Sequence, residues 1–249
     1  MPTPMLKSLA GKVAVVTGAS RGLGRAAALA LAREGAHIIA TARTQGGLEE
    51  LDDEIKSVGS SATLVPMDIV DFPAIDRLGA AIFERWKKLD ILIGNAGILG
   101  KLTPVPHLDP KTFDEVMAVN VTANYRLIRS LDPLLRLSSH GRAIFITSGL
   151  ATKCFPYWGG YSISKAALEA MMKTYAGEMA TTPVRVNCFS PGAMRTHMRS
   201  LAMPGEDPMT LPSANDVATQ IIPMCMDDFT DNGAVYKYAA TGLYKISAL

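Results

Sequence analysis

The stretch Lys12-Val13-Ala14-Val15-Val16-Thr17-Gly18-Ala19-Ser20-Arg21-Gly22-Leu23-Gly24 decides how the rest of the chain is read. Its first half is a short apolar run rich in valine, the pattern of a strand buried on both faces. Its second half is Gly-x3-Gly-x-Gly, and an Ala- and Leu-rich helical pattern runs over 22–34 and stops at Gly35. A strand, a glycine turn and a helix in that order make an anion site. Small residues let the backbone approach a pyrophosphate, and the helix N-terminus offers free N–H groups and a positive dipole end.

The same alternation continues outward. Strand patterns cover 37–42, 62–65, 89–93, 142–148, 184–189 and 234–238; helical patterns cover 48–57, 73–88, 112–135, 160–179 and 213–226. Pro133 is expected to disturb the end of the long central helix. Repeated βα units without antiparallel hairpins predict a parallel sheet of about seven strands with helices on both faces. That is a doubly wound α/β fold of the Rossmann type, and one domain over 1–249 is the simplest partition. The segment 195–212 breaks the rhythm with three methionines, three prolines and Gly205. It reads as a surface loop or a substrate lid, and its place after a strand's C-terminal end favours the lid.

Composition narrows the function. The 25 basic and 23 acidic residues leave a net charge of 25 − 23 = +2, too small for a nucleic-acid binder driven by phosphate neutralisation. Hydrophobic residues at 48% and charged residues at 19% exclude a disordered chain. The longest run free of charged residues is 11, against roughly 20 for a membrane span. The stretch 1–11 has no apolar core of signal-peptide length. Cys154, Cys188 and Cys225 lie far apart without metal-ligand spacing, which fits a reducing compartment and a cytoplasmic, metal-free protein.

A second constellation carries chemistry. Tyr161 and Lys165 are four apart near the start of a helix, so they share a face. A nearby ammonium and a helix N-terminus stabilise a phenolate, which predicts a phenol lowered by ~2–3 pH units and able to exchange a proton with a carbonyl or alcohol. Ser148 ends the fifth strand, the edge where open α/β sheets bind ligands. Its hydroxyl can hold the substrate oxygen. As a hydrolytic nucleophile it lacks the Gly-x-Ser-x-Gly elbow. At the end of the second strand the acidic residue typical of NAD binding is replaced by Ala42, with Arg43 beside it and Arg21 in the glycine turn. Two guanidinium groups favour a ribose 2′-phosphate, hence NADP(H) over NAD(H).

The turn 17–24 resembles the TGxxxGxG motif of the short-chain dehydrogenase/reductase family, in its classical subfamily. Asn95-Ala96-Gly97 resembles the family's NNAG motif, with Gly94 in place of the first Asn, and Tyr161-Ser162-Ile163-Ser164-Lys165 matches YxxSK. Asn120, Ser148, Pro191-Gly192 and Thr196 follow the family order over residues 12–196, whereas 231–236 lacks the usual VDGG-like ending. The resemblance implies an oxidoreductase that moves a hydride between a nicotinamide and a carbonyl or secondary alcohol, with Asn120, Ser148, Tyr161 and Lys165 catalytic. It implies that Asn120 holds a water linking Lys165 to solvent, that Asp68 contacts adenine, and that Lys165 bonds the nicotinamide ribose. The implied cofactor site is Gly18, Ser20, Arg21, Gly22, Leu23, Gly24, Thr41, Arg43, Asp68, Ile69, Asn95, Ala96, Gly97, Tyr161, Lys165, Pro191, Gly192, Met194 and Thr196. It further implies a homodimer or homotetramer built on the helices at 112–135 and 160–179, which are apolar on more than one side.

The stretch 149–158, with Leu150, Cys154, Phe155, Pro156, Tyr157 and Trp158, reads as a wall for an apolar carbonyl substrate or as a subunit contact. Two rival functions remain open at this point. One is a nucleotide-binding regulatory or scaffold protein without turnover; the other is a methyltransferase using S-adenosylmethionine.

Overall fold

The computed structural model describes residues 7–246. The first six and last three residues of the single-domain partition, and part of the leader reading at 1–11, lie outside the described residues. In chain order the elements are β1 (Val13–Thr17), α1 (Gly22–Arg33), β2 (His37–Ala42), α2 (Gln45–Ser57), β3 (Ala62–Pro66), α3 (Phe72–Trp86), β4 (Ile91–Gly94), α4 (Pro110–Met117), α5 (Ala123–Arg136), β5 (Arg142–Ile146), α6 (Leu150–Lys153), α7 (Gly159–Glu178), β6 (Arg185–Ser190), α8 (His197–Ala202), α9 (Ala214–Ala218), α10 (Ile222–Cys225), β7 (Val235–Ala239) and β8 (Gly242–Ile246). The strands form one sheet in the order β3-β2-β1-β4-β5-β6-β7-β8. Pairing is parallel from β3 through β7, and β8 runs antiparallel to β7.

The period of the strands shows why helices cover both faces. Ala14, Val16, Ile38, Ala40, Ile91, Ile93, Ile144 and Ile146 join α1, α2 and the 217–225 segment in one core. Their neighbours Val13, Val15, Ile39, Leu92, Ala143 and Phe145 join α3, α5 and α7 in the other. Successive residues point to opposite faces, so an uninterrupted apolar strand must be buried on both.

Four features depart from the sequence reading. The central helix is interrupted by a π-type turn at Ala118–Thr122, which rotates Asn120 into the interior. It then passes through Pro133 to Arg136. An interior proline costs ~3 kcal/mol; the burial of Leu131, Leu134 and Leu135 against the sheet offsets it. The late helix expected at 213–226 is broken into α9, a 3₁₀ turn and α10, with Pro223 opening α10. The eighth strand closes a hairpin on β7 through Ala240-Thr241, a turn without the Asn-Gly or Asp-Gly signal that reveals hairpins.

Candidate active site

The C-terminal ends of β1, β4, β5 and β6 converge on one edge of the sheet, where a parallel strand order that reverses between β1 and β4 opens a crevice. Thr17 closes β1 and is fully buried. Its hydroxyl accepts from the backbone N–H of Asn95 and Ala96, both at 3.0 Å. The Asn95 side chain donates in turn to the Thr17 carbonyl at 2.8 Å. These bonds explain the glycine spacing. A Cβ on Gly24 would lie 2.3 Å from the Gly18 carbonyl oxygen and 2.4 Å from Asn95 Nδ2, distances no side chain can occupy. Gly18 and Gly22 hold φ of +66° and +58°, the left-handed region that glycine adopts without strain.

The turn fits a dinucleotide phosphate. The residue capping α1 is Arg21, its side chain makes no capping bond, and the first turn of α1 carries no acidic residue. The N–H groups at this helix end therefore remain available to an anion. Leu23 is buried beneath the turn, and the Ala19 N–H donates to the Thr41 carbonyl, which ties the turn to β2. Ser20 packs against Gly47 at the start of α2. Ile69 is buried beside Asp68, whose carboxylate stands 4.0 Å from the exposed Arg43 guanidinium. From β6, Pro191 is buried and Gly192 exposed, Met194 is half-buried, and the Thr196 methyl lies 3.7 Å from where a Gly22 Cβ would stand. The expected cofactor residues thus fall at the C-terminal ends of β1, β2, β3, β4 and β6 and on the segments that follow them.

The reacting end is assembled by α7. Lys165 is 3% exposed, and its ammonium donates to the Ile146 carbonyl at 2.7 Å. It lies 5.7 Å from the centre of the Tyr161 ring and 3.6 Å from where a Gly97 Cβ would be. The Ser148 hydroxyl stands on the side of the Tyr161 phenol and favours its ionisation, while it accepts from the Leu150 N–H at 3.2 Å. Asn120 is fully buried. Its Oδ1 accepts from the Ile98 N–H at 2.8 Å, and its Nδ2 donates to the Ile98 carbonyl at 3.0 Å and to Ser164 Oγ at 2.9 Å. The π-type turn gives Asn120 this inward aim.

One sequence expectation is corrected here. The phenol is not lowered: burial pushes Tyr161 up to about 12, and the Ser148 hydroxyl opposes this only in part. The physical reason is that the phenol is itself buried, and taking the phenolate out of water costs more than its polar neighbour returns. Burial lowers Lys165 to about 8, with Cys188 and Glu169 acting in the opposite direction.

Several participants join the site through contacts that spacing alone does not reveal. Asn124 donates to the Asn120 carbonyl at 2.9 Å, and Ser164 links Asn120 to the Tyr161 carbonyl. Thr147 donates to Glu169 at 2.6 Å. A polar residue at i+4 in an apolar helix stretch was the only available cue for Asn124 and Glu169. The segment 195–212 proves structured: Thr196 caps α8, and Arg199 makes a two-pronged ion pair with Glu206 at 2.6 Å.

The family profile described as short chain dehydrogenase matches residues 12–207. The chain is 34% identical over 228 residues to the uncharacterized oxidoreductase YciK of Escherichia coli, covering 90% of each chain. It is 36% identical over 192 residues to versicolorin reductase stcU of Emericella nidulans, covering 76% of this chain and 72% of that one. A short chain dehydrogenase of Shigella flexneri complexed with NADP superposes with a TM-score of 0.89 at 32% identity, over 93% of this chain and 98% of that one. One of Escherichia coli complexed with NADPH gives a TM-score of 0.89 at 33% identity, over 94% and 99%. The chain belongs to the short-chain dehydrogenase/reductase family and is an oxidoreductase of that family. Among the described residues no helix is long and apolar enough to cross a membrane.

Proposed function

We propose that the protein is an NADP(H)-dependent oxidoreductase interconverting a carbonyl compound and a secondary alcohol, with Tyr161 as acid/base. The observation that carries this reading is the Ser148–Tyr161 hydroxyl pair beside a buried Lys165, at the crevice edge that also holds the glycine turn. A nicotinamide held in the crevice would supply or accept the hydride. Tyr161, protonated at neutral pH, gives its proton to the carbonyl oxygen, and Ser148 donates a hydrogen bond to the same oxygen. Lys165 restores the proton to the phenol, and Asn120 holds the water that joins Lys165 to solvent. The complexes of the relatives with NADP and NADPH, together with Arg21, Ala42 and Arg43, support the cofactor. The presence of Ser148, Tyr161 and Lys165 together at this edge of the sheet speaks against a silent nucleotide-binding scaffold. A turnover screen over ketones and alcohols with both nicotinamide cofactors tests the reading; no nicotinamide oxidation or reduction with any of them rejects it.

The substrate is apolar. Val105, Phe155, Tyr157, Leu201, Met203 and Met209 are large hydrophobic side chains left exposed on the three segments that flank the site. Tyr157 holds φ of +73° and Cys154 +47°, left-handed backbone that only surrounding structure maintains, and such strain gathers at ligand sites. We assign 195–212 to a substrate lid. Hydrogen exchange in this segment should slow when substrate and cofactor are both present; equal protection in the free and ternary states contradicts the lid. Tyr125 and Ile163 are exposed on the two central helices, and we assign them to a subunit contact in a homodimer or homotetramer of a cytoplasmic enzyme. Light scattering at micromolar concentration checks it, and a clean species of 26.6 kDa excludes it.

A further inference from the structure

Glu169 is a buried carboxylate that the reaction as described does not use. It sits one turn beyond Lys165, so Tyr161, Lys165 and Glu169 are spaced four apart on one face of α7. Each meets one member of a run of three at the exit of β5. Tyr161 faces Ser148, Lys165 donates to the Ile146 carbonyl at 2.7 Å, and Thr147 Oγ1 donates to Glu169 Oε1 at 2.6 Å. Thr147 and Lys165 are themselves buried. A charge taken out of water must be matched by an opposite charge and by hydrogen bonds. Here one carboxylate and one ammonium are buried within a single helical turn, each also tied to β5.

We infer that Glu169 is a positioning residue for the reaction: its carboxylate, clamped by Thr147, is the internal counter-ion that keeps Lys165 an ammonium. The other titratable groups nearby are Tyr161 and Lys173 on α7 and Cys188 on β6. Burial pushes the Cys188 thiol up, out of the range in which it ionises near neutral pH. Tyr161 is uncharged there as well. Glu169, one helical turn from Lys165 on the same face of α7 and held by Thr147, is left as the carboxylate of this buried group. Ser148, Thr147 and Ile146 are then set against α7 by three contacts, and the carboxylate of one balances the ammonium of another.

The inference rests on the oxidoreductase reading for its meaning in catalysis, but its test does not depend on turnover. Lysine labelled with ¹³C at Cε is incorporated into the cofactor-free chain, and the Lys165 resonance is identified by its loss in Lys165→Met. In the parent it should titrate near pH 8. Removing a neighbouring negative charge disfavours the ammonium, so Glu169→Gln should titrate at least about one pH unit lower. Glutamine keeps the shape and the bond from Thr147 and removes the charge alone. Thr147→Val keeps the charge and removes the clamp; it should move the titration in the same direction by less. It also decides the matter if Glu169→Gln does not melt cooperatively. In turnover the alkaline limb of kcat should follow, with Glu169→Gln losing about tenfold at pH 8.5 and less than about twofold at pH 6. An unchanged Lys165 titration, or an activity loss equal at every pH, overturns the inference and leaves Glu169 a packing residue. A parent without any turnover refutes the oxidoreductase reading while the titration still decides Glu169.

Discussion

Tyr161→Phe should abolish turnover and leave cofactor binding nearly intact. The substitution removes one oxygen from a ring that keeps its place: the Trp158 ring packs against its edge at 6.2 Å between centroids, and phenylalanine preserves that contact. What is lost is the proton. Burial pushes the phenol up to about 12, so near neutral pH Tyr161 is in its acid form, ready to protonate a carbonyl oxygen held by Ser148. No other side chain in the site can replace it. Lys165 stands 5.7 Å from the centre of the Tyr161 ring and resupplies the phenol rather than the substrate, and Ser148 is a far weaker acid than a phenol. A positioned acid/base group contributes typically 10²–10⁴-fold, and kcat should fall by that factor. Binding of reduced cofactor, followed by its fluorescence, should change by less than about threefold, because the glycine turn and Lys165 are untouched. A Phe variant that retains more than about a tenth of the parental kcat removes Tyr161 from the mechanism.

The parts of this site that were legible in the sequence are those with fixed spacing. Gly18 and Gly24 were readable because a Cβ there would press on Asn95, and Gly22 because its backbone is left-handed at φ +58°. Tyr161 and Lys165 were readable because a helix places i and i+4 together. The strands were readable because parallel strands buried on both faces are continuously apolar. What escaped depends on contacts between distant segments. The turn that aims Asn120 inward is set by Ile98 and Ser164, 22 residues before it and 44 after it. Glu169 looks like an ordinary helix carboxylate until Thr147 is seen to face it. The fate of the Tyr161 phenol was misjudged for the same reason. Spacing placed an ammonium nearby, but burial, which spacing does not reveal, governs both groups. The strand β8 was missed because its two-residue turn lacks the residues that usually announce one.

Cofactor choice should lie with NADP(H), by at least about tenfold in kcat/KM over NAD(H). An NAD site places a carboxylate at the end of the second strand, about 20 residues beyond the glycine turn, to bind the ribose 2′-hydroxyl. Here β2 ends at Ala42, and the next side chain is Arg43. Arg43 stands 4.0 Å from Asp68, with both side chains largely in solvent. An exposed pair of this kind is worth at most ~1 kcal/mol, so the guanidinium turns to a 2′-phosphate at little cost. Arg21, the second cation expected at this ribose, caps α1 without a capping bond and so keeps its guanidinium uncommitted there. A charged hydrogen bond contributes about 1.5–3 kcal/mol, roughly a 10- to 150-fold preference per contact, and the stated tenfold is the low end of that range. Ala42→Asp with Arg43→Ile should reverse the preference. The new carboxylate repels a 2′-phosphate and accepts from a 2′-hydroxyl, while the isoleucine removes one of the two cations. Ala42 is buried, so an aspartate there loses some stability, and a thermal melt shows whether the variant remains folded at the assay temperature. Steady-state kinetics with both cofactors on parent and variant decide the question. A parent that uses NAD(H) equally well, or a folded variant that still prefers NADP(H), would show that the 2′ position is read by residues other than Arg21, Ala42 and Arg43.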